Sequence, residues 1–254
     1  MFYHDRWPIF YEDNHLLVLY KPAGLIMQRD YRNKANLLDL ARLWIKERKA
    51  KPGNVFIGMV HRLDAPVAGV VVLARTSKAA VRLSDQFRRG AIEKQYLAVV
   101  QGRPPKAHDR LENLLVRCGR LSRIAPRPAP GVQEAALRYR LVHSLKGKSL
   151  LAVSLETGRR HQIRLQLSHL GCPILGDTHY GAASAMAHGR IALMARGIAF
   201  DHPTLKTRLR FESPLPLGWP WPVEEKEDIE TLPLWTIEEY AGAGLVLPAA
   251  TGLV

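Results

Sequence analysis

Cysteines and long apolar runs are scarce in this sequence. The chain of 254 residues has two cysteines, Cys118 and Cys172, and neither stands in a CxxC or Cys/His pattern with zinc spacing. The longest apolar run, residues 65–74, is too short to cross a bilayer, and the N-terminus lacks the basic start and apolar centre of a secretory signal. The sequence therefore excludes a disulfide scaffold and predicts a globular, cytoplasmic protein with reduced thiols.

Acidic residues are few in comparison with basic ones. There are 37 Lys and Arg against 23 Asp and Glu, which gives a formal net charge of +14 and a pI near 10.1. Residues 222–254 hold seven of the acids and one Lys, so residues 1–221 carry 36 basic and 16 acidic side chains. A charge so far from neutral predicts a polyanionic partner for the basic part of the chain.

Apolar periodicity and turn residues predict an α+β chain. Asn36 is a candidate N-cap for a helix through Ile45, and Ser77 begins a second helix that Gly90 ends. The side chains of that second helix predicted to point inward are Val81, Leu83 and Phe87. A short third helix is predicted at 161–170, and the predicted strands lie within 9–20 on either side of a turn at 12–14, and at 69–73, 94–100, 135–142, 150–155, 191–200 and 208–212.

One acidic residue stands at the mouth of a predicted buried strand. The segment His61-Arg62-Leu63-Asp64 directly precedes apolar residues and Gly69, so the Asp64 carboxylate would lie at the end of a rigid element. That is a suitable position for a nucleophile. Neighbouring Arg and Asp residues are more often solvated surface pairs, and these four residues alone leave both interpretations open.

Basic side chains surround the predicted start of the third helix. Arg159, Arg160, His161 and Arg164 lie close together there, and backbone N–H groups at a helix start favour an anion such as phosphate. Because Arg160 and Arg164 are four residues apart, they are predicted to share a helix face, and one of them could pair with Asp64. A solvated basic face is the alternative interpretation.

Tyr96 lies on the strand that begins at Lys94, on the same predicted face as Ala98. A tyrosine at such a position is usually a core residue. It can also stack on an unpaired base, which contributes about 1–3 kcal/mol. The residue itself does not decide between these interpretations.

The order of these motifs resembles the RluA family of pseudouridine synthases. The matching segments are Lys21-Pro22-Ala23-Gly24, the segment 61–64 with Gly69, 93–98 with Gly102, 157–159, 161–164, 171–177, Tyr180-Gly181, and His202-Pro203 with Pro214. They cover about residues 9–216. Together the His-Arg-Leu-Asp motif and the two motifs at 157–164 are highly specific, although neither is specific alone.

The resemblance implies a mixed, mainly antiparallel sheet with flanking helices and an active-site cleft along the sheet. It also implies an enzyme that isomerises specific uridines to pseudouridine in structured rRNA or tRNA, with a catalytic aspartate and a flipped-out base. Asp64 would be that aspartate, Arg164 its ionic partner, and Tyr96 the ring beside the target base. Arg62 would help to open the RNA, and the other residues assigned to RNA binding are Lys94, Arg159, Arg160 and His161. No metal or cofactor is expected, because the isomerisation involves no net redox change.

Several positions depart from the family pattern. Val67-Ala68 stand where Thr-Ser is usual before the glycine, so two hydroxyls beside the site are missing. The other departures are Tyr20 in place of a common Asn, and Gln166 and Met194 in place of frequent histidines. None of them removes a residue assigned to catalysis, but they put the transfer of substrate identity in doubt.

The predicted organisation is a pseudouridine synthase catalytic domain at 9–221 and an acidic C-terminal extension at 222–254. The protein is expected to act as a monomer on RNA and not on membranes. Few residues precede Ile9, so the catalytic body is expected to grip the RNA without a separate N-terminal RNA-binding domain.

Two other function classes remain open from the sequence. An RNA-binding or chaperone-like protein with this fold would leave every uridine unchanged. A metal-dependent nuclease or phosphatase would lose activity in chelator, and the sequence has neither an HExxH nor a paired DxD pattern to support it.

Overall fold

The described chain forms one large sheet with three α-helices. The computed structural model describes residues 9–29, 35–49, 53–216 and 218–222. The helices are α1 (Leu37–Arg48), α2 (Ser77–Arg88) and α3 (Gln162–His169). The strands are β1 (Ile9–Glu12), β2 (Leu16–Lys21), β3 (Gly58–Met59), β4 (Ala68–Ala74), β5 (Glu93–Gln101), β6 (His108–Cys118), β7 (Leu121–Ile124), β8 (Val132–Leu145), β9 (Lys148–Leu155), β10 (Leu193–Asp201) and β11 (Arg208–Glu212). The α+β prediction is confirmed.

The sheet is mixed and mainly antiparallel, as predicted. Its strands follow the order β1-β2-β4-β10-β5-β9-β8-β6-β7, with β3 paired to β4 and β11 paired to β10. Within the described ranges β4 and β10 are the neighbouring strands that run parallel. Gly69 of β4 lies opposite Ala195 of β10. Ala195 also pairs with Tyr96 of β5. The centre of the sheet therefore brings the start of β4 close to Tyr96.

Alternation along β2 builds a core on each face of the sheet. Leu17 and Leu19 are fully buried in the larger core cluster, which includes residues of α1 and α3. Leu16 and Val18 are fully buried in a second cluster with residues of α2. Successive side chains of a strand point to opposite faces, so one apolar strand contributes to both cores.

The two longer helices begin at capping side chains. Asn36 accepts a hydrogen bond from the Asp39 backbone N–H at 3.1 Å, which confirms Asn36 as an N-cap. Thr76 accepts one from the Ala79 N–H at 3.1 Å. Each cap provides an acceptor for an N–H group that the first helical turn leaves unpaired.

The predicted inward face of α2 is wrong at one position. Leu83 is fully buried and Phe87 packs against the second core cluster, but Val81 is 70% exposed. Ala79 is buried in its place. The helix meets the sheet through the face that carries Ala79 and Leu83, and Val81 lies two residues from each of them on the other side.

The basic segment 120–130 contains a short strand. Residues 121–124 form β7, which pairs with the end of β6, and Ser122 and Ala125 are buried. The arginines of the segment are exposed. Residues 223–254 lie outside the described residues, so the proposed acidic extension and the domain division stay predictions.

No helix in the described ranges is both long enough and apolar enough to span a membrane.

Candidate active site

Asp64 lies on a tight turn that leads into β4. The Asp64 backbone oxygen accepts a hydrogen bond from the Val67 N–H at 3.0 Å, and the Ala65 oxygen accepts one from the Gly24 N–H at 2.6 Å. The turn is thus closed on itself and tied to the segment that follows β2. The Asp64 side chain is 29% exposed, so the backbone fixes its position while the carboxylate stays accessible.

Gly69 allows β4 to approach β10 closely beside this turn. Its φ is +127°, and a Cβ there would lie 2.2 Å from the Ala195 carbonyl oxygen. A side chain at this position would force the two strands apart, and the backbone conformation itself favours glycine. The close approach helps to place Tyr96, the other neighbour of Ala195, near the Asp64 turn.

Arg164 joins two carboxylates at the buried wall of the site. It donates from Nε and one terminal nitrogen to the two oxygens of Asp177, at 2.7 and 2.8 Å. Its other terminal nitrogen donates to Asp64 Oδ2 at 3.1 Å. Arg164 and Asp177 are both buried. The predicted pairing of Arg164 with Asp64 is present, and Asp177 fixes the guanidinium from behind.

The charges around Arg164 keep it ionised. Burial by itself lowers the pKa of Arg164, but the hydrogen bonds and negative charge of Asp177, together with Asp64, raise it above its ordinary value. The guanidinium carbon also lies 4.9 Å from the centre of the Tyr180 ring, a cation–π distance. A permanent positive charge therefore faces the Asp64 carboxylate.

His161 and Tyr180 complete the wall on the other side of Asp64. The Tyr180 hydroxyl accepts a hydrogen bond from the Ser122 N–H at 2.9 Å, and it lies 2.8 Å from His161 Nδ1. When the Tyr180 hydroxyl donates its proton to His161 Nδ1, the imidazole carries its own proton on Nε2. This nitrogen lies 3.6 Å from Asp64 Oδ2. Burial lowers the pKa of His161 in spite of the Asp64 charge, which acts in the opposite direction. A neutral imidazole N–H then faces the carboxylate.

Tyr96 is a half-buried ring of β5 that packs against the larger core. Burial and the negative charge of Asp64 both raise its pKa, so the phenol keeps its proton. Within the described part of the chain its hydroxyl has no hydrogen-bond partner. The sheet therefore holds the Tyr96 ring in place without using its hydroxyl.

Arg160 and Arg164 do not share a helix face, contrary to the prediction. His161 adopts the left-handed conformation with φ 55° and ψ 22°, and α3 begins only at Gln162. Arg160 therefore precedes the helix and is exposed, whereas Arg164 is buried. The spacing rule applies only when both residues belong to one helix.

The other residues assigned to RNA binding lie in different environments. Arg62, Arg159 and Arg160 are exposed, and Arg160 donates to the Arg120 backbone oxygen at 2.6 Å. Lys94 is half-buried, and burial together with the Arg159 charge lowers its pKa. Arg62, two residues before Asp64, is the cation of this group nearest to it along the chain.

His61, the first residue of the His-Arg-Leu-Asp motif, is a structural residue. Its Nε2 accepts a hydrogen bond from the Val72 N–H at 3.0 Å, and its ring stacks on Phe87 with centroids 5.0 Å apart. Burial, with a smaller effect of the Lys94 charge, lowers its pKa to about 4. His61 thus anchors the segment before Asp64 to β4 as a neutral ring.

The positions that depart from the family pattern are buried. Val67, Ala68, Tyr20 and Met194 are at most 3% exposed. Gln166 is buried as well, and its amide nitrogen donates to the Asn113 side chain at 2.8 Å. These side chains belong to the walls and core around the site and not to its exposed surface.

Two residues of the site were not assigned a role from the sequence. Asp177 and Tyr180 belong to segments that match the family pattern, but the sequence alone predicted no role for either of them. A single turn of 3-10 helix, Thr178–Tyr180, places both against Arg164. Asp177 and Tyr180 make their contacts with other segments of the chain, so no local spacing pattern predicted these two residues.

Among the described residues, no group of three or more His, Cys, Asp or Glu side chains could hold a metal ion.

Comparison with known proteins assigns the chain to a family. The family model for RNA pseudouridylate synthases matches residues 15–169. The chain belongs to this family. Pseudouridine synthases are isomerases that act on RNA, and the predicted resemblance is confirmed.

Bacterial relatives carry names that refer to two kinds of RNA. The chain is 34% identical over 232 residues to ribosomal large subunit pseudouridine synthase D of Xanthomonas campestris pv. campestris, covering 82% of this chain and 66% of that protein. It is 31% identical over 229 residues to tRNA pseudouridine synthase C of Haemophilus ducreyi, covering 83% and 92%. The matched segment thus spans about two thirds of the first relative and nearly all of the second.

A solved structure shares the fold. The human RNA pseudouridylate synthase domain containing 4 matches with a TM-score of 0.71 and 24% sequence identity, covering 84% of this chain and 90% of that chain. The arrangement of the sheet is therefore the pseudouridine synthase fold.

Proposed function

We propose that this protein converts specific uridines of structured RNA, ribosomal or transfer, into pseudouridine, with Asp64 as the catalytic group. Family membership supports the reaction. The observation that carries the assignment to Asp64 is a geometric contrast. Its carboxylate is accessible, whereas the partner Arg164 is buried and held in place by Asp177. A reactive group on a rigid support is the arrangement that efficient catalysis requires.

The reaction needs a carboxylate and no redox partner. The bond between uracil N1 and ribose C1′ breaks, and a bond between C5 and C1′ forms, while the proton lost from C5 balances the one gained at N1. An ionised Asp64 can attack C1′ or remove a proton from C2′ so that a glycal forms. Both routes need the negative charge, which the Arg164 guanidinium stabilises against desolvation.

Tyr96 is proposed to lie beside the target base. Its pKa is raised by burial and by the Asp64 charge, so the hydroxyl stays protonated at neutral pH. The ring provides a surface on which a base can stack, and the unpartnered hydroxyl could deliver or relay a proton. These two contributions are separable by replacing Tyr96 with Phe.

The target nucleotide has to leave its base stack to reach Asp64. C1′ and C5 are inaccessible inside a helix, so the nucleotide must flip or lie in a loop. Arg62, Arg159 and Arg160 are exposed and Lys94 is half-buried, and we propose that these four cations bind the backbone phosphates. Such contacts fix the position of the RNA and make its affinity dependent on salt.

The experiment that tests the function uses two classes of transcript. Purified protein is incubated with unmodified large-subunit rRNA and with a set of tRNAs, and pseudouridine is mapped chemically at single-nucleotide resolution. We expect conversion at one or a few uridines, unchanged by chelator once the RNA has been folded. Tight RNA binding with no conversion in either class would instead favour an RNA-binding protein. Loss of activity in chelator on prefolded RNA would favour metal-dependent chemistry. A monomeric state and cytoplasmic localisation stay predictions.

A further inference from the structure

The outer face of α2 and the turn between β10 and β11 together form an exposed basic surface. It carries three cations and two large apolar side chains, and all five are exposed. We call this surface the α2 patch. Its residues are Lys78, Val81 and Arg82 of α2, and Leu205 and Lys206 of the turn.

Hydrogen bonds hold the two parts of the α2 patch together. Arg82 donates to the Pro203 backbone oxygen at 3.1 Å and reaches Thr204 Oγ1 at 3.5 Å. The buried Gln86 side chain, one helical turn further along, makes two hydrogen bonds with the Asp201 backbone at 2.7 and 2.9 Å. The helix is thus fixed on the end of β10, and the patch is formed before any partner binds.

The turn between β10 and β11 is itself held by one buried ring. His202 Nδ1 accepts the N–H groups of Thr204 at 3.2 Å and Leu205 at 2.9 Å, and the His202 oxygen accepts the Lys206 N–H at 3.0 Å. Lys206 adopts a left-handed conformation with φ 63°. Glycine would occupy that conformation at lower cost, so stability does not explain a lysine at this position.

The cations of the α2 patch are not neutralised by acids. Lys78 and Arg82 are four residues apart and are neighbours on the helix surface. Neither they nor Lys206 form an ion pair within the part of the chain that the structure describes. Arg88 and Arg89, at the end of the same helix, both pair with Asp85. The patch therefore keeps three positive charges for a partner.

The apolar side chains of the α2 patch also indicate a partner. Val81 is 70% exposed and Leu205 is 64% exposed, and among the described residues they are the most exposed large apolar side chains. Single exposed apolar residues are common, but here two of them accompany three unpaired cations. Protein interfaces are enriched in aromatic residues and depleted in lysine. The patch has two lysines and no aromatic ring, so a polyanion fits it better than a protein does.

The α2 patch and the catalytic residues lie on opposite sides of the sheet. α2 packs against the second core cluster, whereas Tyr96 and residues of α3 pack against the larger one. β10 runs from Ala195, which lies opposite Tyr96, to Asp201 beside α2. At about 3.3 Å per residue this path is about 20 Å long. An RNA that contacts both places must extend well beyond the nucleotide that enters the active site.

We propose that the α2 patch binds backbone phosphates of a second RNA segment, remote from the target nucleotide, so that the substrate is a larger folded RNA and not an isolated stem-loop. The proposal rests on the proposed function and names its class of substrate. Phosphate contacts supply affinity and fix the position of the RNA. Because the patch does not touch the reacting atoms, its loss should change the affinity for RNA and not the rate of the bound complex.

The test compares two double variants that each remove two exposed lysines. Lys78→Gln with Lys206→Gln removes the lysines of the α2 patch. Lys146→Gln with Lys148→Gln is the matched control. Those two lysines are exposed at the turn between β8 and β9, and Lys146, like Lys206, has a left-handed backbone. Circular dichroism verifies that both variants are folded.

Two RNAs are used with each protein. One is a full transcript in which the parent converts a uridine, and the other is the shortest stem-loop of that transcript that the parent still converts. The dissociation constant is measured over a range of salt concentrations, and the single-turnover rate is measured at saturating RNA.

We expect the patch variant to bind the full transcript at least about tenfold more weakly than the parent at moderate salt. The slope of log affinity against log salt should be smaller by about 1 to 2. Its affinity for the stem-loop, and the affinity of the control variant for both RNAs, should stay within about twofold of the parent. The rates at saturation should be unchanged.

Three results would overturn the proposal and leave the proposed function intact. An unchanged affinity of the patch variant for the full transcript would favour an acidic protein as the partner. Equal weakening by the control variant would mean that net charge alone accounts for the effect. Equal weakening on both RNAs would place the contact on the target stem-loop. A parent protein that converts no uridine in any transcript would overturn the proposed function itself.

Discussion

Asp13 lies in the β1–β2 turn and Asp64 in the turn before β4. Their side chains are similarly exposed but have different surroundings. Their side chains are 25% and 29% exposed, and each follows or precedes a strand and lies near a histidine. The Asp13 carboxylate is saturated with hydrogen bonds. Its donors are the Tyr11 hydroxyl at 3.1 Å, the His15 and Leu16 N–H groups at 2.7 Å, and His202 Nε2 at 2.7 Å.

The Asp64 carboxylate is far less satisfied. Arg164 donates to Oδ2, and His161 lies 3.6 Å from the same oxygen. Within the described residues Oδ1 has no hydrogen-bond partner. Exposure therefore does not distinguish these two carboxylates, whereas hydrogen-bond saturation does. Asp13 ties the β1–β2 turn to the residue after β10, and the contacts of the Asp64 side chain involve one oxygen, Oδ2.

The largest effect on stability is expected from replacing Arg164, the buried cation that pairs with Asp64 and Asp177. Arg164→Met leaves Asp177 buried and unpaired, so the free energy of unfolding should fall by roughly 3–5 kcal/mol. Chemical denaturation measures this difference. Arg160→Met is the matched control, because Arg160 is exposed and should change stability by less than about 0.5 kcal/mol. Equal effects of the two substitutions would mean that the buried pair is not what holds the wall together.

His61 makes the Asp64 region sensitive to acid. Its pKa is about 4 in the folded protein because of burial, against about 6.5 in an unfolded chain. The unfolded state therefore binds the proton first as pH falls, and stability present above pH 6.5 is lost between about 6.5 and 4. The loss should reach roughly 3 kcal/mol. His61→Gln can still accept the Val72 N–H without titrating, and its unfolding free energy should lack this slope. An identical pH dependence of the two proteins would contradict the buried neutral ring.

Tyr96→Phe separates the ring from its hydroxyl. The ring should still stack on the base, so RNA affinity is expected to stay within about twofold. If the hydroxyl transfers a proton, the single-turnover rate should fall by about 100-fold or more. An unchanged rate would show that Tyr96 is only a platform for the base.

Asp13→Asn tests the structural half of the comparison. The amide can still accept from the backbone N–H groups, but it loses the charge-assisted hydrogen bond with His202. The free energy of unfolding is expected to fall by about 1–2 kcal/mol, with the rate of the folded enzyme unchanged. A slower folded enzyme would mean that Asp13 influences the distant site and would remove the contrast with Asp64.

Local patterns in the sequence predicted most of the fold and part of the site. Asn36 as an N-cap and the strand after Asp64 were correct because capping and apolar runs are properties of short segments. Val81 was placed inward because an apolar residue at helical spacing carries no record of which face meets the sheet. Strand β6 was not predicted, because it begins with three polar residues and Glu112-Asn113 interrupt its apolar residues.

The contacts that hold Asp64 and Arg164 in place had no signal in local sequence patterns. Asp177 meets Arg164 through the fold, and Lys21 meets Ala65 over a sequence separation of 44 residues. The left-handed conformation of His161 separated Arg160 from α3, and no composition rule signals such a backbone angle in a non-glycine residue. The sequence predicts which residues carry the chemistry, and the geometry shows which side chains hold Asp64 and Arg164 in place.

The role of Asp64 is tested most directly by measuring the single-turnover rate and the RNA dissociation constant of Asp64→Asn and Asp13→Asn side by side. Both substitutions keep the shape of the side chain and remove one negative charge, and circular dichroism verifies that both variants are folded. Asp64→Asn should form no detectable pseudouridine, because catalysis by a positioned carboxylate contributes several powers of ten to the rate, and it should bind RNA as tightly as the parent or slightly more tightly. Asp13→Asn should bind and react like the parent. An Asp64→Asn protein that keeps even about a tenth of the parent rate, far above what loss of a catalytic carboxylate allows, would contradict the assignment.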